Sequence, residues 1–240
     1  MTTLVLAAHG SRDPRFAVTV ERIATAVGEQ LAGVDVRLAY LDLNSPTVHQ
    51  VLADCEGDVV VAPLLLSAAF HSKVDLPAII DQACRANPAI SVRQTPTLGS
   101  DPRLIGALAD RLDEVGLRPT DGVLFTAVGS SDDAADGGVH QRAAELAAAL
   151  GNPLVQTVFA TRLGADNGNL RAAVRRLRRG GARRIVVSPY FLSAGLLTER
   201  VDAAVDALAP GAQIAGPLGA HPQLVDVVCD RYRAAVHAVV

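Results

Sequence analysis

The strongest constraint on this 240-residue chain is that it is written twice. Three segments recur in the same order. LVLAAHGSRD at 4–13 is answered by VLFTAVGSSD at 123–132, VVVAPLLLSAAFHSKV at 59–74 by IVVSPYFLSAGLLTERV at 185–201, and LGSDPRL at 98–104 by LGAHPQL at 218–224. The offsets, about 119 to 127 residues, make each copy the size of a compact domain. Between the copies, GLRPTDG at 116–122 combines two glycines, a proline and an aspartate without periodicity. The expected halves are therefore 1–118 and 119–240.

Within each half, short β-branched runs alternate with longer segments of helical period. That alternation predicts parallel strands joined by right-handed crossover helices. Strands are expected at Leu4–Ala8, Val34–Leu41, Asp58–Leu65 and Ile90–Gln94, and again at Val123–Ala127, Leu154–Phe159, Arg184–Ser188 and Gln213–Ala215. A helix over Arg15–Leu31 carries Val18, Ile23, Val27 and Leu31 roughly on one face. A second, Pro102–Val115, opens on Asp101 and Pro102 and carries Ile105, Leu108 and Leu112. The expected fold class is α/β: two homologous open parallel-sheet domains facing across a cleft, for which 2-1-3-4 is the common strand order.

Composition narrows the function. Half the residues are apolar, enough for two cores, and 22 basic against 25 acidic side chains leave a net charge of only −3. Seven arginines lie between Arg171 and Arg184, but with Leu170, Val174 and Leu177 as a buried stripe they read as a solvated helix face. Aromatic residues make up 3% of the chain, too few for a nucleic-acid surface. Cys55, Cys84 and Cys229 are too far apart for a disulfide framework, a zinc knuckle or an iron–sulfur cluster. The longest apolar run, Val59–Phe70, contains Pro63 and Ser67 and falls short of the ~20 residues of a membrane helix. No signal peptide is apparent at the N-terminus. A soluble, cytoplasmic protein with a small partner is expected.

Open α/β sheets bind ligands beyond the carboxyl ends of their strands. There the sequence places His9, Gly10, Ser11 and Arg12 after the first strand, Asp42 after the second, and Ser67 to Lys73 after the third. With order 2-1-3-4 those three ends are adjacent, so His9, His71 and Asp42 share one rim. Two imidazoles and a carboxylate suit a transition metal such as Fe, Co or Ni. The second copy has Val128 and Leu197 at the histidine positions, so the scaffold itself does not require imidazole. The turn after the first strand precedes a helix N-terminus, which favours an anion, with Arg12, Arg15 and Lys73 as added charge. Neither G-x-G-x-x-G nor a P-loop occurs, which excludes the common nucleotide signatures. His221 corresponds to Asp101 in the first copy and reads as a helix cap or surface residue. His49, His140 and His237 lie away from the rim.

AHGSRDP at the first strand end, YLDL after the second and APLLLSAAFHSKVDLP after the third resemble the sirohydrochlorin chelatases. These are the class II metal-inserting enzymes of siroheme and cobalamin synthesis. The resemblance covers nearly the whole chain, because the long bacterial members also consist of two fused homologous halves. It implies insertion of a divalent metal, Fe2+ or Co2+, into sirohydrochlorin without nucleotide hydrolysis. The metal, with Ni2+ as a further candidate, enters as substrate, and no cofactor is permanently bound. The two family histidines match His9 and His71, as ligands or as proton acceptors. The family glutamate falls on Asp42, a shorter carboxylate that orients an imidazole or relays a proton. Ala69 stands where the family has a glycine, and Gly195 keeps that glycine in the other half. The resemblance further implies that Ser11, Arg12 and Lys73 anchor the substrate's carboxylates, while Ala68, Ala69 and Phe70 contact its apolar face. Expected partners are sirohydrochlorin and a divalent metal ion, with no nucleic acid and no membrane, in a monomer or homodimer. Two other classes compete. One is a carrier that binds metal or tetrapyrrole without turnover. The other is a phosphohistidine-type phosphoryl-transfer enzyme, which would place an arginine where Ala8 stands.

Overall fold

A computed structural model of the chain describes residues 2–67, 74–152 and 154–237. In the first copy, β1 (Thr3–Ala8), α1 (Pro14–Gln30), β2 (Asp35–Tyr40), α2 (Val48–Ala53), β3 (Gly57–Pro63), α3 (Leu76–Ala86) and β4 (Ile90–Gln94) alternate, followed by α4 (Arg103–Glu114). The second copy repeats the plan with β5 (Asp121–Ala127), α5 (Asp133–Ala149), β6 (Val155–Phe159), α6 (Gly168–Arg179), β7 (Arg184–Pro189), α7 (Leu196–Leu208), β8 (Gln213–Ile214) and α8 (Pro222–His237). Two four-stranded parallel sheets result, ordered β2-β1-β3-β4 and β6-β5-β7-β8. The expected α/β class and strand positions are found, the ends shifting by a residue or two, and each sheet has the order 2-1-3-4.

The central strands are mainly apolar and buried because helices cover both faces of each sheet. β1 is buried at every position. Val5 and Ala7 face one way and join Val51, Leu52, Leu76, Ile80 and Ala83 from α2 and α3 in one core cluster. In the second unit, Leu124 and Val187 pack with Leu170, Val174 and Leu177 of α6 and Val201 and Val205 of α7. The arginine-rich α6 therefore buries the expected apolar stripe and keeps Arg171, Arg175, Arg176, Arg178 and Arg179 exposed. Each such buried aliphatic side chain contributes about 1.5–3 kcal/mol relative to an exposed one.

The compact units do not follow the sequence repeat. One comprises residues 1–101 with 220–240, the other residues 102–219. The last helix of each copy thus packs in the unit built by the other copy: α8 lies against α1 and β3, and α4 against α5 and β7. Equivalent arginines fix both helices. Arg231 of α8 donates to the carbonyls of Pro96, Thr97 and Leu98, and Arg111 of α4 donates through Nη2 to the Leu218 carbonyl at 3.2 Å. Gln30 of α1 adds a 2.8 Å hydrogen bond to Asp226 of α8. Before α4, Asp101 is extended (φ −82°, ψ 126°) and Pro102 is already helical (φ −65°, ψ −21°), the backbone of the expected Asp-Pro opening. His221 does cap, its Nδ1 accepting the Gln223 N–H at 3.3 Å.

Candidate active site

The first site residue is placed by sheet pairing. Parallel pairing of β1 with β2 runs past both strand ends: Leu41 N–H donates to the Ala8 carbonyl at 2.8 Å and Asp42 N–H to the His9 carbonyl at 3.0 Å. This brings His9 and Asp42 side by side at the rim, as strand order demands. Gly10 then turns the chain with φ +99°, and a Cβ there would lie 1.8 Å from the Asp42 carbonyl oxygen. Only glycine fits, both for its backbone and for the close approach.

His9 is partly buried, and its Nδ1 lies 3.2 Å from the Gly10 carbonyl oxygen. A carbonyl only accepts, so in this hydrogen bond Nδ1–H is the donor. Asp42 is exposed, and its Oδ1 accepts the Leu43 N–H at 2.7 Å. Arg12 is also exposed. The expected His71, Lys73, Ala68, Ala69 and Phe70 lie outside the described residues. Among the described residues, no group of three His, Cys, Asp or Glu side chains is placed to hold a metal ion.

The turn after β1 is tightly engaged. Ser11 N–H donates to Asn44 Oδ1 at 2.7 Å, Asp13 N–H to Ser11 Oγ at 3.1 Å, and Arg15 N–H to Asp13 Oδ1 at 3.0 Å. Phe16 N–H takes the Asp13 carbonyl. The helix N-terminus expected to favour an anion therefore has these donors occupied by protein acceptors. Arg15 is likewise engaged, with Nε at 2.9 Å and Nη2 at 2.5 Å from the two Asp13 oxygens. That fork holds the Asp13 carboxyl down at about 2. Arg12 and Arg15 are both exposed, and Arg15 is the one forked onto Asp13. Asn44, which ties the second strand's loop to the first, escaped the sequence reading; its signal was only a polar residue before a Ser-Pro pair.

The second copy keeps the frame and replaces the chemistry. Thr161 N–H donates to the Val128 carbonyl at 3.0 Å, matching the bond between Asp42 and His9. Gly129 turns with φ +91°, and Ser130 N–H donates to Asp136 Oδ1 at 2.9 Å where Ser11 uses Asn44. Asp136 also pairs with Arg162, whose guanidinium stacks 4.6 Å over the Phe159 ring. Val128, at the position of His9, is 45% exposed. The backbone turn thus persists with no imidazole in it. The three cysteines are free, and burial pushes the Cys229 thiol up to about 11, so it carries no thiolate chemistry at neutral pH. No described helix is long and apolar enough to cross a membrane.

Comparison with known proteins places these features in context. The family model CbiX matches the chain twice, over residues 3–115 and 122–235. A sirohydrochlorin cobaltochelatase of Priestia megaterium is 29% identical over 245 residues, covering 96% of this chain and 79% of the relative. A sirohydrochlorin ferrochelatase from the same organism is 27% identical, covering 95% and 88%. The solved structure of SirB from Bacillus subtilis with Fe3+ superposes with a TM-score of 0.83 at 21% identity, covering 99% of this chain and 98% of that one. The double match of the family model coincides with the two copies read from the sequence.

Proposed function

The chain belongs to the CbiX family, the sirohydrochlorin chelatases that its motifs resemble, and from that premise we propose that it inserts Co2+ or Fe2+ into sirohydrochlorin without nucleotide hydrolysis. The observation that carries this reading is the asymmetry between two equivalent turns. One holds His9 beside Asp42, and the other holds Val128 beside Thr161 on the same backbone frame. A chemical site occupies one copy of a duplicated scaffold. Relatives named for both cobalt and iron support the choice of these two metals.

Metal insertion requires an aquo ion to lose water while two pyrrole N–H groups lose protons. His9 has its Nδ1–H on the Gly10 carbonyl, and in the neutral imidazole form the lone pair is on Nε2. That nitrogen holds the incoming ion or takes a pyrrole proton. A sparse protein ligand set leaves coordination positions for the macrocycle nitrogens, whereas a closed set would trap the metal. Asp42 uses one oxygen on its own loop and keeps the second to relay a proton or orient an imidazole. His71, proposed from the motif, supplies the second imidazole. Arg12, Ser11 and Lys73 are proposed to meet the substrate's carboxylates by charge-assisted hydrogen bonds, and Ala68, Ala69 and Phe70 its apolar face.

The test is a spectroscopic insertion assay with sirohydrochlorin and Co2+, Fe2+ or Ni2+ at substoichiometric protein. Multiple turnovers above the protein-free rate are expected with at least Co2+ or Fe2+. A rate equal to the blank, with tetrapyrrole still bound, would identify a carrier instead.

A further inference from the structure

Leu43, the residue after Asp42, combines two unfavourable features. Its φ is +63°, a left-handed backbone that side-chain-bearing residues avoid. Its side chain is also apolar and 49% exposed. The other described non-glycine residues with positive φ, Asp166 and Asn167, are of types that adopt it readily.

The loop around Leu43 imposes this conformation. Asp42 Oδ1 accepts the Leu43 N–H at 2.7 Å, and Asn44 N–H donates to the Asp42 carbonyl at 2.8 Å. Asn44 Oδ1 takes the Ser11 N–H at 2.7 Å, and Tyr40 N–H donates to the Pro46 carbonyl at 2.9 Å. Both sides of Leu43 are therefore tied down, one of them to the turn that carries His9.

The duplication supplies an internal control. Thr161 pairs with Val128 as Asp42 pairs with His9, so the residue equivalent to Leu43 is Arg162. Arg162 ends a short 3-10 turn, Ala160–Arg162, and its φ is not positive. The scaffold can thus leave a second-strand end without left-handed backbone. The strained form occurs in the copy that carries the imidazole, and strain of this kind collects at ligand-contacting positions.

We propose that Leu43 is a substrate-positioning residue: the strained loop holds its side chain out as an apolar contact for the face of the tetrapyrrole macrocycle handled at His9 and Asp42. This rests on the chelatase reading above. Covering Leu43 removes apolar surface from water, and a side chain already fixed by its backbone loses little freedom on binding. The contact exists before and during insertion alike, so it acts on KM and leaves kcat largely alone.

Three variants test this. Leu43→Asn tolerates the left-handed backbone while removing the apolar contact, Leu43→Met keeps the apolar contact, and Leu43→Gly relieves the backbone altogether. For Leu43→Asn, KM for sirohydrochlorin should rise about five- to tenfold with kcat within about twofold of the parent. Its melting temperature should stay within about 3 °C of the parent value. Leu43→Gly should raise KM similarly, and Leu43→Met should restore it to near the parent. Binding of metal-free sirohydrochlorin, followed by its fluorescence, should weaken in the same order. A parent chain that inserts metal while Leu43→Asn keeps the parent KM would overturn this inference alone. Equal rises in KM for Met and Asn would also overturn it, by assigning the effect to the backbone. A parent chain that binds but never inserts, with affinity still dependent on Leu43, would uphold the contact and remove the chelatase reading.

Discussion

At the scale of single residues, the site is a turn in which sterics and chemistry are inseparable. Gly10 is there because the Asp42 carbonyl occupies the space of a side chain, and that close approach is what sets His9 next to Asp42. Gly10→Ala should lose at least about 2 kcal/mol of stability, measured by urea unfolding, because both its positive φ and its missing Cβ are required. His9→Ala should behave oppositely. An apolar residue, Val128, occupies the equivalent turn, so the variant should melt within about 3 °C of the parent. Its insertion rate should nonetheless fall about a hundredfold or more if the imidazole handles metal or protons. Asp42→Ala should be milder, since the carboxylate also serves its own loop through the Leu43 N–H. Full activity in His9→Ala would sink the site assignment.

At the scale of elements, capping and ion pairing hold the helices and strands that carry the rim. Asp13 caps α1 by accepting the Arg15 N–H, and the Arg15 guanidinium closes a fork on the same carboxylate. With its folded value at about 2, below the ordinary 3.8, the carboxylate stabilises the native state fully above about pH 4. That contribution fades as pH falls from there through 2. Asp13→Asn should therefore flatten the acid limb of a melting-temperature-against-pH curve in this window. At the start of β5, burial opposes ionisation of Asp121, but the Arg184 guanidinium at 2.6 Å and the Arg118 N–H hold its carboxyl below the usual range. Its side chain is 1% exposed. Asp121→Ala leaves the guanidinium without its carboxylate and should cost about 3 kcal/mol in chemical denaturation.

At the scale of the molecule, the exchange of terminal helices makes each unit depend on both copies. A chain ended after Gly219 keeps every strand of the first sheet but lacks α8, whose Leu224, Val225, Val227 and Val228 are buried in that unit. Its His9 unit should lose protection in hydrogen exchange while the unit of residues 102–219 retains it; equal protection in both would refute this dependence. Much of this organisation was legible in the sequence. Short β-branched runs and period-3.6 hydrophobic patterns are local, so the strands and the apolar stripe of α6 could be read directly, and self-comparison exposed the asymmetry of His9 against Val128. Less legible were Asn44 and the left-handed Leu43, which depend on a contact between residues more than thirty positions apart or on backbone angles. By itself, the sequence determined the α/β class, the duplication and which copy carries an imidazole in the turn after its first strand. Tertiary structure alone decided which sheet each terminal helix covers. The two copies offer nearly equivalent apolar faces to α4 and α8, so hydrophobic pattern cannot choose between them, and specific partners such as Arg231 and Arg111 record the choice made.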